Sequence, residues 1–389
     1  MNYTEHGNKS KKYHVALVVI LLACICMLIQ MYAIPVKNMR LMSLANRFTV
    51  VLWIAAACIS LFMNGTKDLM EIIAIFGLGI VAFLFSIFDN MRTYSLTSLL
   101  NFYALPMMII FVACNEIGDL AKKMLLITFF ILSLLFIGFS RSSFAYRLEG
   151  EYAIINIDDL TMGYPNQNQA AFYLFICAIN LVIGAFYFKH KFIKAVFVAD
   201  FLYMLVLLEQ TQCRTSLLLI GVFVLLIFIP KNIKTLVNVA VLWPLVFALL
   251  AQWLYPYLED FAILGDTFLN GREEIYSRYF DNLSVSTLLL GDFQKFHFDN
   301  LHNAYVSIAA TVGLPVLILF MYMLRKHMQI NCELGINKGY ESVAFIGFIC
   351  AVLYFGTEAA TAVGGTNYAF MNISLLAYYA KPFAQGEAV

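Results

Sequence analysis

Short polar stretches interrupt an otherwise apolar sequence, and one of them contains a residue suited to proton transfer. In residues 301–306, His302 is followed directly by Asn303. A histidine side chain accepts and releases a proton near neutral pH, so His302 can serve as a general base. On residue type alone, the alternative is a histidine at a membrane surface beside an Asn303 helix cap.

Two other stretches contain arginines that suit a phosphate-bearing substrate. Arg214 opens an apolar run, and Arg272 precedes Tyr276 at a spacing that puts both on one helix face. A guanidinium group can hold a phosphate through two parallel hydrogen bonds. The alternatives are contact with lipid headgroups, an ion pair of Arg214 with Glu209, and a surface amphipathic helix around Arg272.

A fourth stretch, residues 163–170, is rich in side-chain amides. Asn166 and Asn168 can donate and accept hydrogen bonds, which suits the hydroxyl groups of a sugar. The Pro-Asn pair that begins this stretch is also an ordinary helix start. The sequence contains no zinc-protease motif and no phosphate-binding glycine loop, so we predict no metal site and no cofactor.

The elements that must position these residues are membrane helices. The chain has 389 residues, of which 62% are hydrophobic and 13% charged, and its mean hydropathy is +0.81. Soluble domains are roughly 45–50% apolar and about 25% charged. This composition excludes a soluble enzyme and a disordered protein. The net charge of +1 gives no indication of nucleic-acid binding, and the eight cysteines form no CxxC pair.

A bilayer core about 30 Å thick requires roughly 20 apolar residues in a helix. We predict an all-α, polytopic integral membrane protein with a single membrane domain, residues 1–389, and about 12 transmembrane helices. The predicted spans are residues 14–33, 48–63, 69–88, 98–114, 124–139, 170–188, 192–209, 215–230, 233–254, 303–324, 341–356 and 366–380.

The distribution of basic residues predicts the orientation. With a cytoplasmic N-terminus, the inner segments hold 15 Lys and Arg and the outer segments hold 10. Both termini are then cytoplasmic, and the two long loops, 140–169 and 255–302, are extracytoplasmic. All four polar stretches fall on that outer face. The first outer loop opposes the trend because it contains Lys37, Arg40 and Arg47.

The order of these motifs resembles the O-antigen polymerase/ligase superfamily of membrane enzymes, which join lipid-diphosphate-linked glycans. The resemblance covers nearly the whole chain in architecture, with about twelve spans and a long outer loop before the third-last span. The motifs that carry it are Pro165-Asn166-Gln167-Asn168-Gln169-Ala170, Gln212-Cys213-Arg214-Thr215-Ser216, Gly271-Arg272, His302-Asn303-Ala304-Tyr305 and Gly313-Leu314.

This resemblance implies a metal-independent glycosyltransferase that polymerises polyprenyl-diphosphate-linked repeat units of a surface polysaccharide. The implied location is the outer face of the bacterial cytoplasmic membrane. Partners would be a lipid-linked donor and acceptor within the bilayer, together with a chain-length regulator and a flippase, and no nucleic acid. The implied catalytic residues are His302, Arg214 and Arg272, and the implied substrate-binding residues are Asn166, Asn168, Asn303 and Tyr276.

Two other functions stay open at this point. An O-antigen ligase would use the same residues but transfer the glycan to lipid A core, although an outer loop of about 48 residues is compact for a ligase. A lipid-linked oligosaccharide flippase also has about twelve spans. Asp200 lies within a predicted span, and such a carboxylate is a candidate for proton or ion movement. The absence of a repeat of six spans in the sequence argues against a flippase.

Overall fold

The computed structural model is helical and describes residues 3–64, 77, 80, 84, 96–140, 160–229, 232–258, 262–263, 266–267, 272–292, 301–333 and 339–381. In the first half of the chain its helices are α1 (Tyr3–Ala33), α2 (Met39–Asn64), α3 (Leu96–Phe102), α4 (Ala104–Cys114), α5 (Asp119–Ser140), α6 (Gln167–Tyr187) and α7 (Lys191–Gln210). In the second half they are α8 (Arg214–Phe228), α9 (Ile233–Leu258), α10 (Arg272–Asp281), α11 (Val285–Leu290), α12 (Ala304–Val312), α13 (Leu314–Glu333), α14 (Tyr340–Tyr354), α15 (Ala360–Val363) and α16 (Thr366–Tyr379).

The long apolar helices agree with a helical membrane protein. Five of the described helices, α1, α2, α5, α6 and α9, are long and apolar enough to cross a membrane. Alternation of buried and exposed positions along α2 shows one face packed in the bundle and one face left open, which suits contact with lipid. The predicted span 69–88 lies outside the described residues apart from 77, 80 and 84.

The helices at the centre of the bundle are shorter than those around them. α4 has 11 residues, α14 has 15 and α16 has 14, and nearly all their side chains are buried. At about 1.5 Å per residue these helices are roughly 16–22 Å long, less than a bilayer core of about 30 Å. These helices therefore end within the depth of a bilayer core. The irregular backbone that follows them must be enclosed by protein or line a polar cavity.

Two predicted spans are each replaced by a pair of helices. Residues 303–324 were expected to form a single helix, but the chain turns at Gly313 between α12 and α13. Gly313 has φ of +89°, a left-handed conformation that favours glycine. Pro315 then lies in the first turn of α13, where its missing amide hydrogen costs nothing. The predicted span 98–114 is likewise divided at Tyr103 into α3 and α4.

Segments predicted to lie on the same face of the membrane contact each other in the bundle. At one end, the Tyr164 hydroxyl donates to the backbone oxygen of Met31 at 3.0 Å. At the other end, the backbone amide of Lys381 donates to Asn331 Oδ1 at 2.9 Å. We call the first end, which contains the four polar stretches, the site end.

The predicted long loop 255–302 contains two helices that pack onto the bundle. It contains α10, the shorter α11, and a hairpin of two-residue strands, β1 (Ala262–Ile263) and β2 (Asp266–Thr267). We call residues 272–292 the cap. Tyr276 and Tyr279 of the cap form a small core with Ala248 of α9 and Ala310 of α12. Burial raises the pKa of Tyr279 to about 12, so its hydroxyl stays protonated at neutral pH.

Candidate functional site

The site is built around the turn that follows α14, residues 354–358. In this turn, the backbone oxygen of Phe355 accepts a hydrogen bond from the amide of Ala304 at 2.8 Å. The backbone oxygen of Gly356 accepts one from Asn303 Nδ2 at 3.0 Å. These bonds hold the start of α12, and therefore the residue before it, against the turn. We call residues 354–358 the central turn.

Glu358 of the central turn brings together two residues that the sequence placed far apart. Its Oε1 atom accepts a hydrogen bond from Asn168 Nδ2 at 2.9 Å and lies 3.5 Å from His302 Nδ1. The Glu358 side chain is almost fully buried, whereas His302 is partly exposed. A buried carboxylate needs hydrogen-bond donors near it, and Asn168 supplies one, while His302 Nδ1 lies within reach of the same oxygen. The structure therefore supports a polar cluster of Asn168, His302 and Glu358.

Asn303 positions the neighbouring histidine. Its Oδ1 atom caps α12 by accepting from the amides of Tyr305 and Val306 at 2.9 and 3.1 Å. Its Nδ2 atom donates to the carbonyls of Gly356 and Pro244, the latter at 2.7 Å. The side chain is fully buried and makes the two donor and two acceptor bonds of a satisfied amide. The geometry thus gives Asn303 a structural task, where the sequence suggested sugar binding.

The backbone of His302 is in an unusual conformation that the cap supports. His302 has φ of +48°, in the left-handed region that non-glycine residues seldom occupy. The Tyr276 hydroxyl donates to its backbone oxygen at 3.3 Å. Tyr276 is fully buried in the cap core, and its hydroxyl contacts His302 at the backbone oxygen. The contact makes Tyr276 a positioning residue for His302, and substrate binding by Tyr276 stays a prediction.

Arg214 lies at the start of α8 and is exposed. Two residues on, the Ser216 hydroxyl forms a 2.6 Å hydrogen bond with the hydroxyl of Tyr354, the first residue of the central turn. The central turn therefore fixes the start of α8 as well as the start of α12. This places the Arg214 segment beside the His302 segment at the same end of the bundle.

The remaining predicted residues are described in part. Arg272 is the first residue of α10, one helical turn before Tyr276. Its side chain is not among those that the structure describes. Asn166 is the N-cap of α6, and its Oδ1 atom accepts from the amide of Gln169 at 2.8 Å. The exposed Asn166 side chain keeps its amide group available for a further bond. The described contacts thus favour the helix-start interpretation of Asn166.

Glu358 is the site residue that the sequence analysis missed. It is the only charged residue in the short segment 357–365 between two apolar helices, a segment that the predicted topology assigns to the outer face. A single carboxylate in such a segment can be recognised as a candidate partner for a histidine or an arginine. Among the described residues, no group of three or more His, Cys, Asp or Glu side chains is placed to hold a metal ion.

Comparison with known proteins adds no relative to this picture. No protein-family model, no curated protein and no solved structure matches the chain. The features that bear on function are therefore Asn168, Arg214, His302 and Glu358 at the site end of a helical membrane protein.

Proposed function

We propose that the protein is a glycosyltransferase that polymerises polyprenyl-diphosphate-linked oligosaccharides on the outer face of the bacterial cytoplasmic membrane. The observation that carries this proposal is the contact of His302 with the buried carboxylate of Glu358, with the exposed Arg214 at the same end of the bundle. This arrangement offers a base, a group that orients the base, and a cation for a phosphate. It also agrees with the motif order that resembles the O-antigen polymerase/ligase superfamily.

His302 acts as the general base in this proposal. A carboxylate facing Nδ1 favours the neutral tautomer with its proton on that nitrogen, which leaves the lone pair of Nε2 for the substrate. Nε2 removes the proton from the acceptor hydroxyl as the hydroxyl oxygen forms a bond to the anomeric carbon of the donor glycan. The bond from that carbon to the diphosphate oxygen breaks, and the polyprenyl diphosphate leaves with the electron pair. The imidazolium then releases its proton to water.

Arg214 and Arg272 hold the leaving diphosphate in this proposal. Negative charge accumulates on the diphosphate as the glycosidic bond breaks, and guanidinium groups stabilise it more in the transition state than in the ground state. Arg214 begins α8 next to the central turn, and Arg272 begins α10, whose Tyr276 contacts His302. Two segments that carry arginines therefore flank the histidine.

An apolar cavity near the site supports a lipid-linked substrate. It is small and partly open, and it is lined by Phe102, Tyr103, Pro106, Ile308, Val316, Phe320, Ala362 and Val363. Ala362 follows Glu358 by one turn, and Ile308 lies in the helix that begins after His302. A cavity of this lining favours isoprenoid carbon over sugar or water.

The test uses purified protein in detergent, a lipid-diphosphate-linked repeat unit, and neither nucleotide sugar nor lipid A core. We expect a ladder of longer lipid-linked glycans from the wild type and none from His302→Ala. Arg272→Lys should remain impaired because an ammonium group cannot reproduce a two-bond contact with phosphate. A matched control is Lys194→Gln, which removes an exposed charge at the opposite end. A full ladder from His302→Ala would contradict the proposal.

The same preparation separates the alternative functions. Transfer that begins only after lipid A core is added would identify a ligase, which shares the proposed residues and differs in its acceptor. No transfer to either acceptor, together with passage of the lipid-linked glycan across a vesicle bilayer, would identify a flippase.

A further inference from the structure

The first turns of α2 present an unusual stripe on the open face of the bundle. Arg40, Leu44, Arg47 and Val51 recur at helical spacing, and all four are exposed. The exposed fractions are 67% for Leu44 and 64% for Val51. Phe48, also half exposed, adjoins the stripe. The stripe therefore alternates two guanidinium groups with exposed apolar side chains along one face of the helix.

The two arginines lack acidic partners in the part of the chain that the structure describes. No ion pair or hydrogen bond joins either side chain to a described residue. The sequence has no Asp or Glu between Glu5 and Asp68, so α2 itself offers no carboxylate. Basic residues on the outer face also oppose the usual charge bias of membrane proteins. Folding and insertion therefore give no reason for this pair of charges.

Two contacts connect the beginning of α2 with the proposed site. Asn46, which directly precedes Arg47 in α2, accepts a 2.8 Å hydrogen bond from the Thr366 hydroxyl. Thr366 follows the segment that carries Glu358. The turn before α2 contacts the segment that leads to Asn168, because Gly163 packs directly against Pro35. The beginning of α2, which carries the stripe, thus contacts the segments around Glu358 and Asn168, which are distinct from those of Arg214 and Arg272.

We propose that the Arg40–Val51 stripe binds the diphosphate of a second lipid-linked glycan, the acceptor, at the outer surface of the membrane. Arg40 and Arg47 would bind the phosphates, and Leu44, Phe48 and Val51 would contact the isoprenoid chain. This inference rests on the proposed polymerase function, in which both substrates carry a polyprenyl diphosphate. It assigns the donor to Arg214 and Arg272 and the acceptor to α2, with the glycans meeting at His302.

The test measures binding without catalysis. Full-length protein carrying His302→Ala is titrated in detergent with sugar-free polyprenyl diphosphate, and bound lipid is counted by native mass spectrometry. We expect two bound lipids per chain, and one after Arg40→Gln and Arg47→Gln are introduced together. The control variant, Lys191→Gln with Lys194→Gln, removes two exposed charges from the opposite end and should keep two. Phosphatidylglycerol at equal concentration should not displace the second lipid.

Two outcomes would overturn the inference. One is an unchanged number of bound lipids in the arginine variant. The other is equal displacement by phosphatidylglycerol, which would make the stripe an ordinary contact with phospholipid headgroups. In the polymerisation assay with wild-type His302, the arginine variant should raise the KM for the acceptor by about tenfold or more, as expected for lost charge-assisted bonds. A protein that polymerises normally without the arginines would refute the stripe alone, whereas a wild type that never polymerises would refute the proposed function.

Discussion

The Nδ1 atom of His302 lies 3.5 Å from the Oε1 atom of Glu358, in a contact that joins a partly exposed imidazole to a buried carboxylate. The same oxygen accepts a 2.9 Å hydrogen bond from Asn168 Nδ2, so the carboxylate cannot turn away without losing that bond. A base whose orientation is fixed in this way loses less entropy when the substrate arrives. Distances of this kind often shorten once substrate is bound.

Replacing Glu358 by Gln tests whether its charge is needed. The glutamine oxygen can still accept from Asn168, but the negative charge that stabilises a protonated His302 is lost. We expect kcat to fall by about 10²–10⁴-fold, the range found for general acid–base groups and their partners, with little change in KM. Glu358→Asp should recover part of the activity. Wild-type kcat in Glu358→Gln would remove Glu358 from the reaction.

Asn303→Ala tests the structural task of the helix cap. The substitution removes an N-cap and leaves the carbonyls of Pro244 and Gly356 without their donor. A loss of roughly 2–4 kcal/mol in the free energy of unfolding is expected from these two effects together. Thermal unfolding in detergent should show a clear decrease in Tm, accompanied by loss of polymer. An unchanged Tm with lost polymer would instead support direct contact of Asn303 with sugar.

Tyr276→Phe separates the positioning of His302 from the packing of the cap. The ring stays buried, but its hydrogen bond to the His302 backbone oxygen disappears. Because a single neutral hydrogen bond contributes about 0.5–1.5 kcal/mol, kcat should fall by no more than about tenfold. Tyr279→Phe on the same helix should leave kcat unchanged. Equal effects of the two substitutions on kcat would show that Tyr276 has no special relation to His302.

The sequence was sufficient to predict the helical membrane architecture and the segments that meet at the site. Apolar runs such as 124–139 and 170–188 correspond to α5 and α6 within a few residues. These predictions succeed because a bilayer demands length and apolarity from each helix, and both are visible in the composition. His302 and Asn168, chosen by residue type and motif, do come together in space.

The sequence could not predict which polar side chains bind each other. Two of the four hydrogen bonds of Asn303 go to the carbonyls of Pro244 and Gly356, which no sequence pattern reveals, whereas its helix cap was one of the alternatives that the sequence offered. Glu358 was overlooked because its partners come from two distant segments. The break at Gly313 was missed because hydropathy continues through it, and only a left-handed backbone angle marks the end of α12.

Gly313→Ala tests how the cap is attached to the bundle. Gly313 packs so closely against the cap that an added Cβ would overlap the backbone carbonyl of Leu289, and Gly291 of the cap packs equally closely against the backbone of Thr311. The φ of +89° adds backbone strain of about 1–3 kcal/mol for any residue with a side chain. We expect the cap to detach and become sensitive to limited proteolysis. Gly221→Ala, a helical glycine with open space around it, should show no such sensitivity.

Asp200→Asn distinguishes a transferase from a proton-coupled transporter. Asp200 is buried in α7, and its Oδ2 atom accepts a hydrogen bond from the Ser133 hydroxyl of α5, whereas Oδ1 has no hydrogen-bond partner among the described residues. Asparagine preserves the bond to Ser133 and removes a group whose ionised form is costly in a membrane. We therefore expect the polymer ladder in detergent to be unchanged and Tm to be equal or higher. Loss of transport across vesicles in this variant, with no ladder from the wild type, would favour the flippase. An intact ladder would assign Asp200 to helix packing.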